Sequence, residues 1–260
     1  MSDLNISLSD EGLLTFTMNR PEVHNAFDDS LLNTLTTNLD TYKNNNEVRT
    51  LVIQSEGKSF CAGADLNWMK SMKNYSLEEN IEDSKKLAHF FQSLNSFPAP
   101  TIAKVQGAVF GGGLGILGAV DFVVAIRKSK FSFSETKLGL IPAVISPFVL
   151  PKLGEGRLRE LFLSAKIFTA EQAYHYGLVS DLVDDNNQLH KVTDDLIDQI
   201  LALGPQAVRA AKHLISSIKG KTPEECESLT CELISKQRIS PEGQEGMQAL
   251  LEKRKPNFPS

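Results

Sequence analysis

Residues 13–18 read Leu-Leu-Thr-Phe-Thr-Met, alternating apolar and polar positions as a strand with one face in a core does. Asn19-Arg20-Pro21 then forces a turn, because proline fixes its own φ and biases the residue before it away from helix. Asp28 or Asp29 is placed to cap a helix on which Leu31, Leu32, Leu35 and Leu39 recur at helical spacing. Residues 50–54 form the next strand, ending in the loop around Gly63. Ser76-Leu77-Glu78-Glu79 has the form of a capping box; it opens a helix whose apolar side is Ile81, Leu87, Ala88, Phe91 and Leu94, and Pro98 and Pro100 end it. Residues 101–105 make a third strand leading into a Gly111–Gly113 loop, and 122–126 a fourth, continuously apolar like a strand buried on both faces. Beyond about residue 140, Thr169-Ala170-Glu171-Gln172, Thr222-Pro223-Glu224-Glu225 and Ser240-Pro241 are helix starts, so the C-terminal third is mostly helical. Strand, turn and helix recur without sequence self-similarity, which suggests a coiled stack of related units.

Composition narrows the function. Hydrophobic residues at 41% and charged residues at 23% over 260 positions are those of an ordinary globular protein. A net charge of -5 leaves no electrostatic footprint for a phosphate backbone, so no nucleic acid partner is expected. Cys61, Cys226 and Cys231 are too few and too irregular for a disulfide framework, and His24, His89, His175, His190 and His213 show no metal-ligand spacing, so no metal is expected. The N-terminal residues lack a basic region followed by an apolar stretch. The longest apolar run, 108–120, stops at Asp121, short of the ~18 residues of a membrane helix. A soluble, cytoplasmic protein without a membrane partner is the expectation.

Two segments carry the candidate chemistry: residues 60–66, Phe-Cys-Ala-Gly-Ala-Asp-Leu, and residues 109–115, Val-Phe-Gly-Gly-Gly-Leu-Gly. Glycine and alanine let backbone N–H groups approach a ligand unobstructed, and Ser134-Glu135 follows with a carboxylate: the composition of an oxyanion hole with a base beside it. Glu135 lies between Phe131-Ser132-Phe133 and Leu138-Gly139-Leu140-Ile141-Pro142, surroundings that disfavour its charged form and suit it to proton transfer. Equally, it could complete a helix cap with Ser132 or Ser134. Gly113-Leu114-Gly115-Ile116-Leu117-Gly118 matches the dinucleotide fingerprint G-x-G-x-x-G, yet Arg127-Lys128 stand where its acid belongs, and glycines that permit close helix packing explain it better. Gly57-Lys58-Ser59 lacks the earlier glycine of a P-loop, and there is no G-x-S-x-G elbow. Cys61 is a nucleophile or, more in keeping with free cysteines, a buried thiol; Trp68, Met69 and Met72 are pocket wall or core.

Taken jointly, Asn19-Arg20-Pro21 with Asn25-Ala26, residues 60–66, Val105-Gln106-Gly107 leading to Gly111-Gly112-Gly113, Glu135 ahead of residues 138–142, and Glu252-Lys253-Arg254-Lys255 resemble the enoyl-CoA hydratase/isomerase (crotonase) superfamily from about Leu13 onward. The resemblance implies an α/β fold: a spiral of strand-strand-helix turns over residues 1–195 holding the active site, with a helical region, 196–260, that trimerises and touches CoA. The implied ligand is an acyl-CoA, with CoA part of the substrate and no other cofactor, and the implied assembly is a trimer or dimer of trimers. Ala64 and Gly112 would supply the oxyanion N–H groups and Glu135 the catalytic carboxylate. Ala62, Asp65 and Leu66 would lie along the adenine and pantetheine path, His24 near the phosphates, and Lys253 would reach the CoA of a neighbouring subunit.

One position departs from the two-carboxylate hydratases of that superfamily: where they carry a glutamate two residues after the triple glycine, this chain has Gly115. Residues 19–29, 64–70 and 140–147 are similar to the bacterial methylglutaconyl-CoA hydratases of leucine breakdown, which share this single-glutamate look. That resemblance implies reversible hydration of 3-methylglutaconyl-CoA; a double-bond-shifting enoyl-CoA isomerase also needs only one base. A distal carboxylate on the acyl group would need a partner, for which Lys70 and Lys73 are candidates beside the plainer reading of a solvated helix face.

Overall fold

A computed structural model describes residues 2–258; Met1, Pro259 and Ser260, which bound the expected segments 1–195 and 196–260, lie outside the described residues. The chain opens with an antiparallel pair, β1 (Leu4–Leu8) and β2 (Leu13–Met18), with Leu4 opposite Met18. From there it winds in one direction, each turn returning through helix to lay a parallel strand beside the last. Helix α1 (Asp29–Tyr42) leads to β3 (Thr50–Ser55); α2 (Leu66–Met72) and α3 (Leu77–Asn95) lead to β4 (Thr101–Val105). A short β5 (Ala108–Phe110) and α4 (Gly112–Ala119) lead to β6 (Phe122–Ile126). Then β7 (Lys130–Ser132), α5 (Ser146–Ser164), β8 (Phe168–Thr169) and α6 (Ala170–His175) lead to β9 (Asp181–Val183), after which α7 (Asn186–Leu201), α8 (Pro205–Ile218), α9 (Pro223–Ile239) and α10 (Pro241–Leu251) complete the chain.

The main sheet runs β1-β2-β3-β4-β6-β9, and a smaller one runs β5-β7-β8. This is the expected α/β spiral with its helical C-terminal region. Val123, Val124 and Ala125 of β6 are fully buried, as a strand covered on both faces requires. Local signals set the helix starts: Asp28 accepts from Leu31 N at the head of α1, and Ser76, Thr169 and Thr222 each close a capping box.

Two expectations need correction. On α3 the buried residues are Phe90, Phe91 and Leu94, with Leu87 half-buried, whereas Ile81 and Ala88 face out. Helix α3 packs on α1 and α4, and its buried residues all fall in its C-terminal half, so its apolar face is set by its neighbours rather than by the pattern of the whole helix. The Gly111–Gly113 loop is also largely absent: Gly112 and Gly113 are already helical, and only Gly111, at φ 50 and ψ -121, makes the turn between β5 and α4.

Helix α4 is buried along almost its whole length, and its glycines show why. A Cβ on Gly113 would lie 2.9 Å from the Cys61 carbonyl, one on Gly115 2.5 Å from both Ile145 Cγ2 and Phe91 Cζ, and one on Gly118 2.8 Å from Val149 Cγ1. The G-x-G-x-x-G run is therefore a close-packing surface. Each helical glycine costs about 1 kcal/mol in propensity, which the packing of neighbouring elements offsets.

Candidate active site

The smaller sheet assembles the site. Cys61 bridges Val109, and Val109 pairs with Phe131, so three chain segments form successive parallel rungs. Ala64, Gly112 and Glu135 all lie three or four residues beyond these rungs, at the carboxyl ends of adjacent strands. Parallel sheets place ligand sites at that end, where chains diverge and backbone groups are left unpaired.

Just beyond the Cys61 rung a further bridge joins Phe27 to Ala64: Phe27 N donates to Gly63 O at 2.7 Å and Asp65 N donates to Phe27 O at 2.7 Å. This bridge uses the groups on either side of Ala64 and turns the N–H of Ala64 itself away from Phe27. At the second rung Gly111 N donates to Ser132 O at 3.0 Å, which leaves Gly112 as the first helical residue of α4. Its N–H is one of the unsatisfied donors at a helix N-terminus, where the helix dipole also favours negative charge. Among the described residues neither the Ala64 nor the Gly112 N–H has a protein acceptor. Both residues line one cleft of about 710 Å³ with Glu135. The loops can approach because Gly63 and Gly111 meet there: a Cβ on Gly111 would lie 3.7 Å from Gly63 Cα and 3.5 Å from Glu135 Oε1.

Glu135 begins a short 3-10 turn, Glu135–Leu138. Neither serine caps it: Ser134 makes no side-chain cap bond, and Ser132 Oγ donates instead to Ala165 O at 3.1 Å. Glu135 Oε2 is buried with no hydrogen-bond partner, and burial raises the carboxyl pKa above the ordinary glutamate range. A buried carboxylate oxygen left unpaired within a protein is costly to fold and suited to taking a proton from a bound molecule.

The remaining candidates separate. Ala62 and Leu66 line the cleft rim, Leu66 being 74% exposed, and Trp68, Met69 and Met72 form its wall. Asp65 faces elsewhere: its carboxylate caps α2 by accepting from Asn67 N and pairs with Arg20 Nη2 at 3.1 Å. Arg20 Nη2 also meets Asp28 at 2.8 Å, so one guanidinium ties the caps of α1 and α2 together. Asn25 is buried and donates to the carbonyls of Glu56 and Ser59, which gives the Asn19-to-Ala26 segment an architectural part. His24 is exposed, in left-handed backbone, with Nδ1 3.2 Å from Ser59 Oγ, outside the cleft lining. Lys73 lines the cleft; Lys70 does not. Lys253 is exposed just after α10, away from the cleft of its own chain. Cys61 is fully buried and its thiol is pushed up to about 12 by that burial, which removes it as a nucleophile.

Three features went unread in the sequence. Asn80, Asp83, Ser84 and Leu87 line the cleft from one face of α3, a spacing of i, i+3, i+4 and i+7 that the sequence does display. The meeting of Gly63 with Gly111, and the filling of the space beside Gly115 by Phe91 and Ile145, are contacts between distant segments without a local signal. The latter yields a direct expectation. Gly115→Glu drives its Cβ into Phe91 and Ile145 and is expected to destabilise the protein by roughly 1–3 kcal/mol without increasing hydration of crotonyl-CoA; a melting curve and a hydration assay on the purified variant check both.

The spiral thus brings two free amides and a buried carboxylate into one cleft. The chain belongs to the enoyl-CoA hydratase/isomerase family, whose model matches residues 9–260. It is 32% identical to the mouse mitochondrial methylglutaconyl-CoA hydratase over 95% of this chain and 79% of that one. It is 29% identical to the trans-2-decenoyl-[acyl-carrier-protein] isomerase of Streptococcus mutans over 96% and 95% of the two chains. Among solved structures, a Legionella pneumophila protein described as an enoyl-CoA hydratase/isomerase (crotonase) superposes with a TM-score of 0.93 at 44% identity, covering 100% of both chains.

Proposed function

We propose that the chain is a hydratase that adds water reversibly across the α,β-double bond of a CoA thioester, with 3-methylglutaconyl-CoA as substrate. The observation that carries this reading is the unpartnered, buried Oε2 of Glu135 in the same cleft as the free amides of Ala64 and Gly112. Glu135 takes a proton from water as the oxygen attacks the β-carbon; the electron pair of the double bond moves toward the thioester, and the two amides stabilise the resulting enolate oxygen. The protonated Glu135 then returns that proton to the α-carbon. One carboxylate thus serves both transfers, and the site of a second glutamate, Gly115, is closed by Phe91 and Ile145.

A second reading has its own support: one base also suffices for moving a double bond, and an isomerase stands among the relatives. Side-by-side turnover of methylglutaconyl-CoA, crotonyl-CoA and a 3-enoyl-CoA separates them. Hydration of the first with little isomerisation of the last is expected, and the opposite pattern makes the chain an isomerase.

The proposal includes a trimer or dimer of trimers in which Lys253 reaches a neighbour's CoA. Ile215 of α8, Ile234 and Ile239 of α9, and Leu250 and Leu251 of α10 are exposed apolar side chains that a subunit contact would cover. Ending the chain before Gln248 removes Leu250, Leu251 and Lys253 together. Light scattering is expected to show a smaller assembly and a CoA titration a weaker affinity; unchanged mass and affinity refute the cross-subunit contact.

A further inference from the structure

The cleft wall formed by α3 changes character along its length. Phe91 packs against Gly115 of α4, Leu87 follows one turn away, and Asp83, Asn80 and Ser84 make the wall polar a further turn toward the start of the helix. Facing this polar end is Trp68 of α2, only 9% exposed, whose indole Nε1–H is buried without an acceptor in bonding geometry. The Asp83 carboxyl group lies beside that N–H. Trp68 Nε1–H and the Asp83 carboxyl group are thus a donor and an acid set side by side on the cleft wall, with Asp83 the only acceptor in reach of that N–H among the described residues.

The charges around Asp83 are few. Lys86, on the same helix, is committed to Asp29 at the head of α1, its Nζ 2.8 Å from Asp29 Oδ1. Asp29 adds negative charge on that side, and Glu135 stands across the cleft. Lys73, at the end of α2, is the cleft's own lysine and has no ion-pair partner among the described residues. A distal substrate carboxylate entering here therefore meets one exposed ammonium and one half-buried acid. Two carboxylates brought into hydrogen-bonding contact do not both stay ionised; they share a proton.

We propose that Asp83 is a specificity-determining residue that, in its protonated form, donates a hydrogen bond to the distal carboxylate of a dicarboxylic acyl chain, so that such a ligand binds with uptake of one proton. The proton comes from solvent, sits between the two carboxyl groups while the ligand is bound, and returns to solvent on release; no other bond changes. Trp68 Nε1–H donates to the shared pair, and Lys73 balances its remaining charge. Burial raises the Asp83 pKa in the free protein, which lowers the work of protonating it further. The inference rests on the proposed methylglutaconyl-CoA activity.

Glutaryl-CoA and butyryl-CoA, both saturated and unreactive toward hydration, test it by calorimetry of the full-length protein in buffers of different ionisation enthalpy. Glutaryl-CoA is expected to bind with uptake of about one proton per site and to lose affinity about tenfold per pH unit above the Asp83 pKa, whereas butyryl-CoA takes up none. Asp83→Asn is expected to abolish the uptake and flatten the pH dependence. Asp83→Glu, which keeps a carboxyl group, is expected to retain uptake and keeps the test open should the asparagine variant fail to fold. Glutaryl-CoA binding without proton uptake, or uptake unchanged in Asp83→Asn, overturns the proposal. Turnover of methylglutaconyl-CoA accompanying that result leaves the proposed function standing, while absence of that turnover overturns both.

Discussion

Glu135→Gln is expected to lower turnover of methylglutaconyl-CoA by roughly 10²–10⁴-fold, the range over which a general acid–base group contributes, while CoA affinity survives. Glutamine keeps the size of the side chain but replaces the basic carboxylate oxygen by an amide NH2, so it neither carries the charge nor takes the proton. The wild-type pH profile gives an independent check. Glu135 must be ionised to take a proton from water, and burial raises its pKa, so kcat/KM should fall as pH drops through a value above the ordinary glutamate range. The same substitution should raise the melting temperature at neutral pH. With its pKa raised in the folded state, the native protein holds the Glu135 proton more tightly; the stabilisation is complete below the unfolded pKa and is lost as pH rises through the folded one. Glutamine carries no charge, so its advantage should vanish in acid. Wild-type turnover in Glu135→Gln would exclude the single-carboxylate mechanism.

Gly112→Pro should be nearly as damaging to catalysis. Position 112 is the first residue of α4, where proline fits the helical φ and where the N–H has no intrahelical acceptor, so the substitution removes a donor without breaking the ladder. Loss of one oxyanion donor typically raises the barrier by about 2.7–4 kcal/mol. The added ring carbons press on Phe27, which lies 3.2 Å from where a Cβ would stand, so Gly112→Ala is the necessary control: it makes the same contact and keeps the N–H. Steady-state kinetics on both, with circular dichroism to confirm folding, should show most of the loss in proline alone. Equal loss in both variants would assign the effect to Phe27.

Helix starts were legible because they are local chemistry: Asp28, Ser76, Thr169, Thr222 and Ser240 each accept a backbone N–H within three residues of themselves. The glycine segments and Glu135 were legible as composition, and the spiral then explains their convergence through the pairing of Cys61, Val109 and Phe131. What escaped is set across the chain. The buried face of α3 depends on what it packs against, so Phe90 replaced Ile81 and Ala88. The ion pair of the Asp65 carboxylate with Arg20, across 45 positions of sequence, had no local signal either. The polar stripe of Asn80, Asp83 and Ser84 reads as an ordinary solvated helix face until Trp68 is seen opposite it.

The occupied space beside Gly115 bears on how such enzymes can change into one another. A second carboxylate at that position requires Phe91, from α3, and Ile145, from the segment before α5, to withdraw at the same time. In this chain the three positions are therefore coupled: a carboxylate introduced at 115 alone passes through a poorly packed intermediate. Laboratory evolution toward simple enoyl-CoA hydration should accordingly reach its first gains by randomising 91, 115 and 145 together, where libraries at 115 alone stall.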